Sequence, residues 1–132
     1  MAGEPILIIE DNPSNLKLVK TLLTIEGYEI QTASNSEEAI ELLNTFRPLL
    51  ILMDLQLPGM DGLELTQKLK GDPRFQKIII VALTAYAMSR DKEKALAAGC
   101  DGYMTKPIDV NTFPTEIKRY LTNKKSNLGL LQ

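Results

Sequence analysis

Short apolar runs alternate with longer stretches of helical period along almost the whole chain, and that alternation limits the fold more than any other property of the sequence. The runs predicted as strands are Ile6 to Glu10, Glu29 to Ala33, Leu49 to Asp54, Ile78 to Leu83 and Gly102 to Thr105. The third, LLILM before Asp54, is apolar at every position, which is the pattern of a strand buried on both faces of a parallel sheet. A carboxylate at the end of such a run needs either a partner that offsets its desolvation or a chemical purpose.

Helices are expected between the strands. Asn12 fits an N-cap with Pro13 at the first helical position, and Leu16, Val19, Leu22 and Leu23 face the core before Gly27 ends the helix. Ser34 and Glu37 have capping-box spacing ahead of Ala39, Ile40, Leu43 and Phe46, with Pro48 closing that segment. A third helix starts near Gly62 and stops before Gly71 and Pro73. The fourth spans about Ser89 to Ala98 with Gly99 behind it. The last carries Phe113, Ile117, Tyr120 and Leu121, with Pro114 tolerated in its first turn. Strict strand and helix alternation predicts right-handed βαβ units: an α/β doubly wound five-stranded parallel sheet between two helical layers. At 132 residues one domain is expected, covering 1–123, with 124–132 as a short, loose C-terminal tail.

Composition removes several classes of function. A formal net charge of -2 with no basic patch argues against non-specific nucleic-acid binding. The start, MAGEPILIIED, lacks a cationic lead, and no apolar stretch reaches membrane-spanning length, so a cytoplasmic protein is expected. The single cysteine, Cys100, can form no internal disulfide and fits no zinc pattern; it reads as a small buried residue. There is no histidine, which excludes Ser-His-Asp and Cys-His catalysis, histidine metal ligands and a phosphohistidine on this chain. Carboxylates, hydroxyls and lysines remain.

Open α/β sheets bind ligands at the carboxyl ends of their strands, near the point where strand order reverses. The first predicted strand ends in Glu10-Asp11, the third in Asp54 and the fourth in Thr84-Ala85, while the fifth runs into Lys106-Pro107; the second ends in plain Ala33-Ser34. In the flavodoxin-like order 2-1-3-4-5 the three acids converge and the plain end lies apart. Three clustered carboxylates call for a cation, and magnesium, a hard ion that takes oxygen ligands, answers that need. Carboxylate nucleophile, magnesium, lysine and hydroxyl together describe phosphoryl transfer.

At these residues the sequence closely resembles the receiver domain of two-component response regulators, from about Pro5 to Asn123. The resemblance rests on LIIEDNPSN, MDLQLPGMDG, VALTAYA, GCDGYMTKPI and the Lys106-Pro107 pair, in order. It implies that Asp54 accepts a phosphoryl group from a histidine kinase or histidine phosphotransfer protein. Glu10, Asp11, Asp54 and the backbone carbonyl of Gln56 would bind Mg2+, and Lys106 would contact the phosphoryl oxygen. Thr84 would hydrogen-bond the new group and Tyr103 would turn inward. That movement would reshape a face of the fourth helix, fifth strand and fifth helix that binds a downstream protein. Glu10 replaces the more usual aspartate, a form similar to receivers of hybrid kinases and DivK-like single-domain regulators, and its reach to metal, direct or through water, stays open. Gln56 and Tyr86, two residues beyond Asp54 and Thr84, would tune the lifetime of the aspartyl phosphate.

Two other classes fit less well. Haloacid-dehalogenase-type phosphatases need a second aspartate two residues after the nucleophile, where this chain has Gln56, so self-phosphotransfer and autodephosphorylation are the only catalysis expected. A flavin protein needs a phosphate-cradling loop rich in glycine and hydroxyls where this chain has Glu10-Asp11. Strand one begins a few residues from Met1 and the chain ends soon after the last helix. This favours a stand-alone receiver over one cut from a larger kinase or regulator.

Overall fold

In a computed structural model, which describes residues 3–57, 59–85 and 89–131, the chain forms five strands and five helices in strict alternation. The strands are β1 (Pro5–Ile9), β2 (Glu29–Ala33), β3 (Leu50–Asp54), β4 (Ile79–Thr84) and β5 (Gly102–Thr105). The helices are α1 (Pro13–Ile25), α2 (Ser36–Leu42), α3 (Gly62–Lys70), α4 (Ser89–Ala98) and α5 (Phe113–Leu131). All strand pairs are parallel, and the sheet order is β2-β1-β3-β4-β5, as the strand-end pattern predicts. Among the described residues no helix is long and apolar enough to cross a membrane.

Side chains on successive strand positions point to opposite faces, and both faces are covered. Leu7, Ile9, Ile51, Met53, Ile80 and Ala82 pack with Ala39, Leu65, Leu69 and Ala95 from α2, α3 and α4. Ile6, Ile8, Leu50, Leu52, Val81 and Leu83 pack with Val19 and Leu23 of α1 and Phe113, Ile117 and Leu121 of α5. Burial on both sides explains why β3 is apolar without alternation. It also makes the central strands the rigid part of the molecule, so whatever stands at their carboxyl ends is held in fixed register.

Most helix boundaries follow the local signals. The Asn12 side chain accepts hydrogen bonds from the amides of Ser14 and Asn15, and Pro13 opens α1. Gly27, with φ of +93°, turns the chain out of that helix. The cap of α2 differs from the expected Ser34 and Glu37 pair. Asn35 is the N-cap and accepts from the Glu38 amide, while Glu38 reaches back to the Ser34 amide and hydroxyl. The box is displaced by one residue because asparagine competes equally well with serine for the cap. Strand ends shift by one residue as well: β1 stops at Ile9, leaving Glu10 just beyond it, and β3 starts at Leu50. The final segment, expected to be loose, continues α5 to Leu131, since nothing between Leu121 and Leu131 has the strength of a proline to stop the helix.

The base of the sheet, opposite the acids, is tied by Lys70. Its ammonium donates to the carbonyls of Gln76 and Ile78 and pairs with Asp101 at 2.9 Å. The same Asp101 oxygen accepts the Ile80 amide at 2.8 Å. The end of α3 is thus fastened to the entries of β4 and β5.

Gly62, the first residue of α3, lies against the strand end that carries Asp54. A Cβ there would stand 2.8 Å from both the Asp54 carbonyl oxygen and the Leu55 Cα, which are backbone atoms with no rotamer to escape into. Helix propensity alone favours alanine over glycine by about 1 kcal/mol. Gly62→Ala is nevertheless expected to destabilise the protein by about 1–3 kcal/mol through overpacking, seen as a lower midpoint in urea unfolding.

Candidate functional site

The carboxyl ends of β1, β3, β4 and β5 meet at one edge of the sheet, and the chain changes direction between β1 and β3. There β2 departs to one side and β4 to the other. Glu10 and Asp11 follow β1, Asp54 closes β3, Thr84 closes β4, and Lys106 follows β5. One carboxylate oxygen each from Glu10, Asp11 and Asp54 lie within 4.8 Å of one another. Glu10 and Asp54 are buried, at 2% and 5% exposure, whereas Asp11 is exposed. Lys106 reaches into the group, with Nζ 2.8 Å from Glu10 Oε1 and 3.2 Å from Asp54 Oδ2.

Each buried acid is aimed by an amide two residues further on. The Asn12 N–H donates to Glu10 Oε2 at 3.1 Å, and the Gln56 N–H donates to Asp54 Oδ1 at 2.9 Å. These turns fix the carboxylates as the chain leaves the sheet, leaving Glu10 Oε1 and Asp54 Oδ2 toward Lys106. Thr84 is buried, and its carbonyl accepts the Lys106 amide at 2.8 Å, which sets the lysine beside the end of β4. Tyr103, beside Ala82 in the β4 and β5 register, is half-buried against the face covered by α2, α3 and α4. The Gln56 side chain is exposed, and Tyr86 lies outside the described residues.

Burial is the largest influence on Glu10 and pushes its carboxyl above the usual carboxylate range. Lys106 pulls the other way, and the neighbouring Asp54 adds to the rise. Burial alone would lower Lys106, but its contacts with Glu10 and Asp54 outweigh that and hold the ammonium above the ordinary lysine range. The lysine therefore stays charged at neutral pH. With all three acids ionised, one lysine leaves two negative charges uncompensated. Two unit charges about 5 Å apart repel by roughly 3 kcal/mol at an effective dielectric of about 20, large enough that a second cation is favoured.

The donor set fits a hard divalent ion. It offers only oxygens, and Glu10 Oε1 is buried with no hydrogen bond of good geometry, only the ionic contact with Lys106. Two features of the site were not visible in the sequence. One is the Asn12 amide that orients Glu10, since Asn12 reads only as a helix cap. The other is Ser36, whose hydroxyl crosses to the Met60 carbonyl in the loop after Asp54 at 2.7 Å. Ser36 sits inside the cap run SNS, and nothing in that run marks it as buried.

Comparisons with known proteins agree with this geometry. The response regulator receiver domain family matches residues 6–118. The chain is 45% identical over 116 residues to the polar-differentiation response regulator DivK of Brucella anthropi, covering 88% of this chain and 94% of that protein. The signal receiver domain of a signal transduction histidine kinase from Syntrophus aciditrophicus aligns with a TM-score of 0.84 at 35% identity over 92% of each chain. The receiver domain of a sensor histidine kinase from Pseudomonas aeruginosa, solved with a magnesium ion coordinated in its active site cleft, aligns with a TM-score of 0.83. It is 31% identical, over 92% of this chain and 99% of that one.

Removing one of the three acids should relieve the repulsion and weaken cation binding together. Asp11→Asn, which leaves both Lys106 contacts intact, is expected to raise the thermal unfolding midpoint in EDTA by roughly 2–4 °C. It should also abolish most of the further rise that millimolar Mg2+ gives the wild type. Calorimetry with and without Mg2+ checks both signs, and a variant less stable than wild type in EDTA contradicts the account.

Proposed function

The chain belongs to the response regulator receiver domain family of two-component signalling and is DivK-like, and on that premise we propose that it takes a phosphoryl group onto Asp54. The observation that carries this reading is the buried Asp54 carboxylate at the end of β3, 3.2 Å from Lys106 and within 4.8 Å of two further acids. Receiver domains are signalling proteins rather than classical enzymes. The chemistry assigned here is self-phosphotransfer and its hydrolytic reversal.

The donor is a phosphohistidine on a histidine kinase or histidine phosphotransfer protein, in keeping with a chain that has no histidine of its own. An Asp54 carboxylate oxygen attacks phosphorus. The O–P bond forms as the P–N bond breaks, and the electron pair stays on the partner's imidazole nitrogen. Lys106 neutralises a phosphoryl oxygen as charge builds there, and the Thr84 hydroxyl hydrogen-bonds the transferred group. Glu10, Asp11, Asp54 and the Gln56 carbonyl are the groups that would hold Mg2+, which when bound offsets the negative charge of acids and phosphoryl group together. The Gln56 amide, already on Asp54 Oδ1, keeps the carboxylate in one orientation.

Thr84 and Tyr103 form the switch in this reading, with the surface of α4, β5 and α5 as the docking face for a downstream protein. Residues 1–123 make the receiver unit and 124–132 its tail. The partners are proteins rather than nucleic acid or membrane, consistent with a net charge of -2, and the expected compartment is the cytoplasm. Gln56 and Tyr86 set the lifetime of the phosphorylated state, Tyr86 by shielding the phosphoryl group from water.

Incubation with acetyl phosphate and Mg2+ should give a single phosphoryl adduct by intact mass. Asp54→Asn should give none, and EDTA should suppress the adduct. An unmodified wild type under conditions where other receivers react counts against the assignment. Tyr86→Ala should shorten the adduct's half-life several-fold at equal stability, and an unchanged decay rate removes the shielding role.

A further inference from the structure

The loop between Asp54 and α3 carries the Gln56 carbonyl, so its shape decides whether that oxygen faces the acids. Its near limb is tied to the sheet, with the Leu55 amide bonded to the Leu83 carbonyl at 3.3 Å. Its neck is closed by the Gly62 amide on the Leu55 carbonyl at 3.1 Å. Asp61, at its far end, is used as the N-cap of α3 and accepts the Glu64 amide. Among the described residues the far limb has a further anchor, which comes from a different element. Ser36, the first residue of α2, is 1% exposed, and its hydroxyl donates to the Met60 carbonyl at 2.7 Å. This bond spans 24 positions and joins α2 to the loop.

From the Ser36–Met60 bond we infer that Ser36 is a positioning residue for the metal site, holding the loop in the shape that presents the Gln56 carbonyl to the cation. The inference rests on the Mg2+ reading proposed above. Two features of the contact support it. The hydroxyl is buried where a serine gains nothing from solvent, and among the described residues its acceptor is a loop carbonyl that no helix or strand amide satisfies. The α2 cap does not need it, because Asn35 already accepts the Glu38 amide. Losing the hydroxyl leaves the Met60 carbonyl without this donor and loosens the far limb, while the amide bonds that orient Glu10 and Asp54 are untouched.

The test is a Mg2+ titration of 15N-labelled protein at 25 °C, followed through the Asp11 and Gln56 amide signals. It covers wild type, Ser36→Ala, Ser36→Gly and the control Ile117→Val. The control trims a buried side chain on α5, across the sheet from α2, and lowers stability without touching the loop. Ser36→Ala and Ser36→Gly are expected to raise the Mg2+ dissociation constant roughly tenfold, the low end for groups that orient metal ligands. Ile117→Val should bind Mg2+ as wild type does. Wild-type affinity in both Ser36 variants overturns the inference, and so does equal weakening in Ile117→Val, which would make the effect one of stability alone. A wild type that shows no Mg2+-dependent shift removes the metal-site reading itself, and the role of Ser36 with it.

Discussion

One lysine facing three acids is the constraint on which the rest of the molecule depends. Lys106 is shared between Glu10, just past β1, and Asp54, the last residue of β3, which lie 44 positions apart in sequence. A shared cation of this kind works only if the strands that deliver its partners are fixed relative to one another. Burial of β1, β3 and β4 on both faces supplies that rigidity, because the close-packed side chains on each side fit one register. The deeply buried apolar strands stabilise the fold by much more than the residual repulsion among the carboxylates costs. A site that is poorly satisfied on its own can therefore persist at the edge of a well-satisfied core.

The same local device is used twice to aim the acids. Glu10 and Asp54 each stand at the end of a strand and each accept the backbone amide two residues on. The turn thus does two things at once, ending the strand's ladder and leaving one oxygen of the carboxylate directed at Lys106. Glu10 has one methylene more than aspartate, and here that length takes Oε1 to 2.8 Å from the ammonium while Oε2 remains on the Asn12 amide. Among the described residues Asp11 has no comparable tether, and it is exposed, so of the three acids it has the most freedom to adjust.

The fold was legible in the sequence because its determinants are local or periodic. Leu49 to Asp54 and Ile78 to Leu83 declare double burial by their unbroken apolar character, and Asn12-Pro13 declares a helix start. Sheet order was legible for a different reason: the flavodoxin-like order 2-1-3-4-5 brings Glu10, Asp11 and Asp54 together while leaving Ala33 aside. What escaped is what depends on contacts between distant segments or on near-equal local choices. Ser34, Asn35 and Ser36 can all cap a helix, and the energy separating them is small, so the box fell one residue from its expected place. The burial of Ser36 against Met60 arises from how α2 lies beside the loop after β3, which no local pattern encodes. At the other end, the mostly polar run after Leu121 reads as loose in the sequence, yet the same residues permit a helix to continue.

The register of the sheet also bounds how a change at Asp54 can reach the surface. Asp54 pairs with Leu83, the next residue is Thr84, and Thr84 pairs with Thr105, one residue before Lys106. Adjacent strands lie about 4.8 Å apart, so Asp54 and β5 are separated by about 10 Å with only β4 between them. No long chain of intermediates is needed. Thr84 closes β4, and Tyr103 on β5 lies beside the small Ala82 in the register, so the two residues of the proposed switch stand on neighbouring strands. In the proposed switch the apolar strands stay fixed, and the difference between the two states falls on side chains at their carboxyl ends and on the loops that follow them.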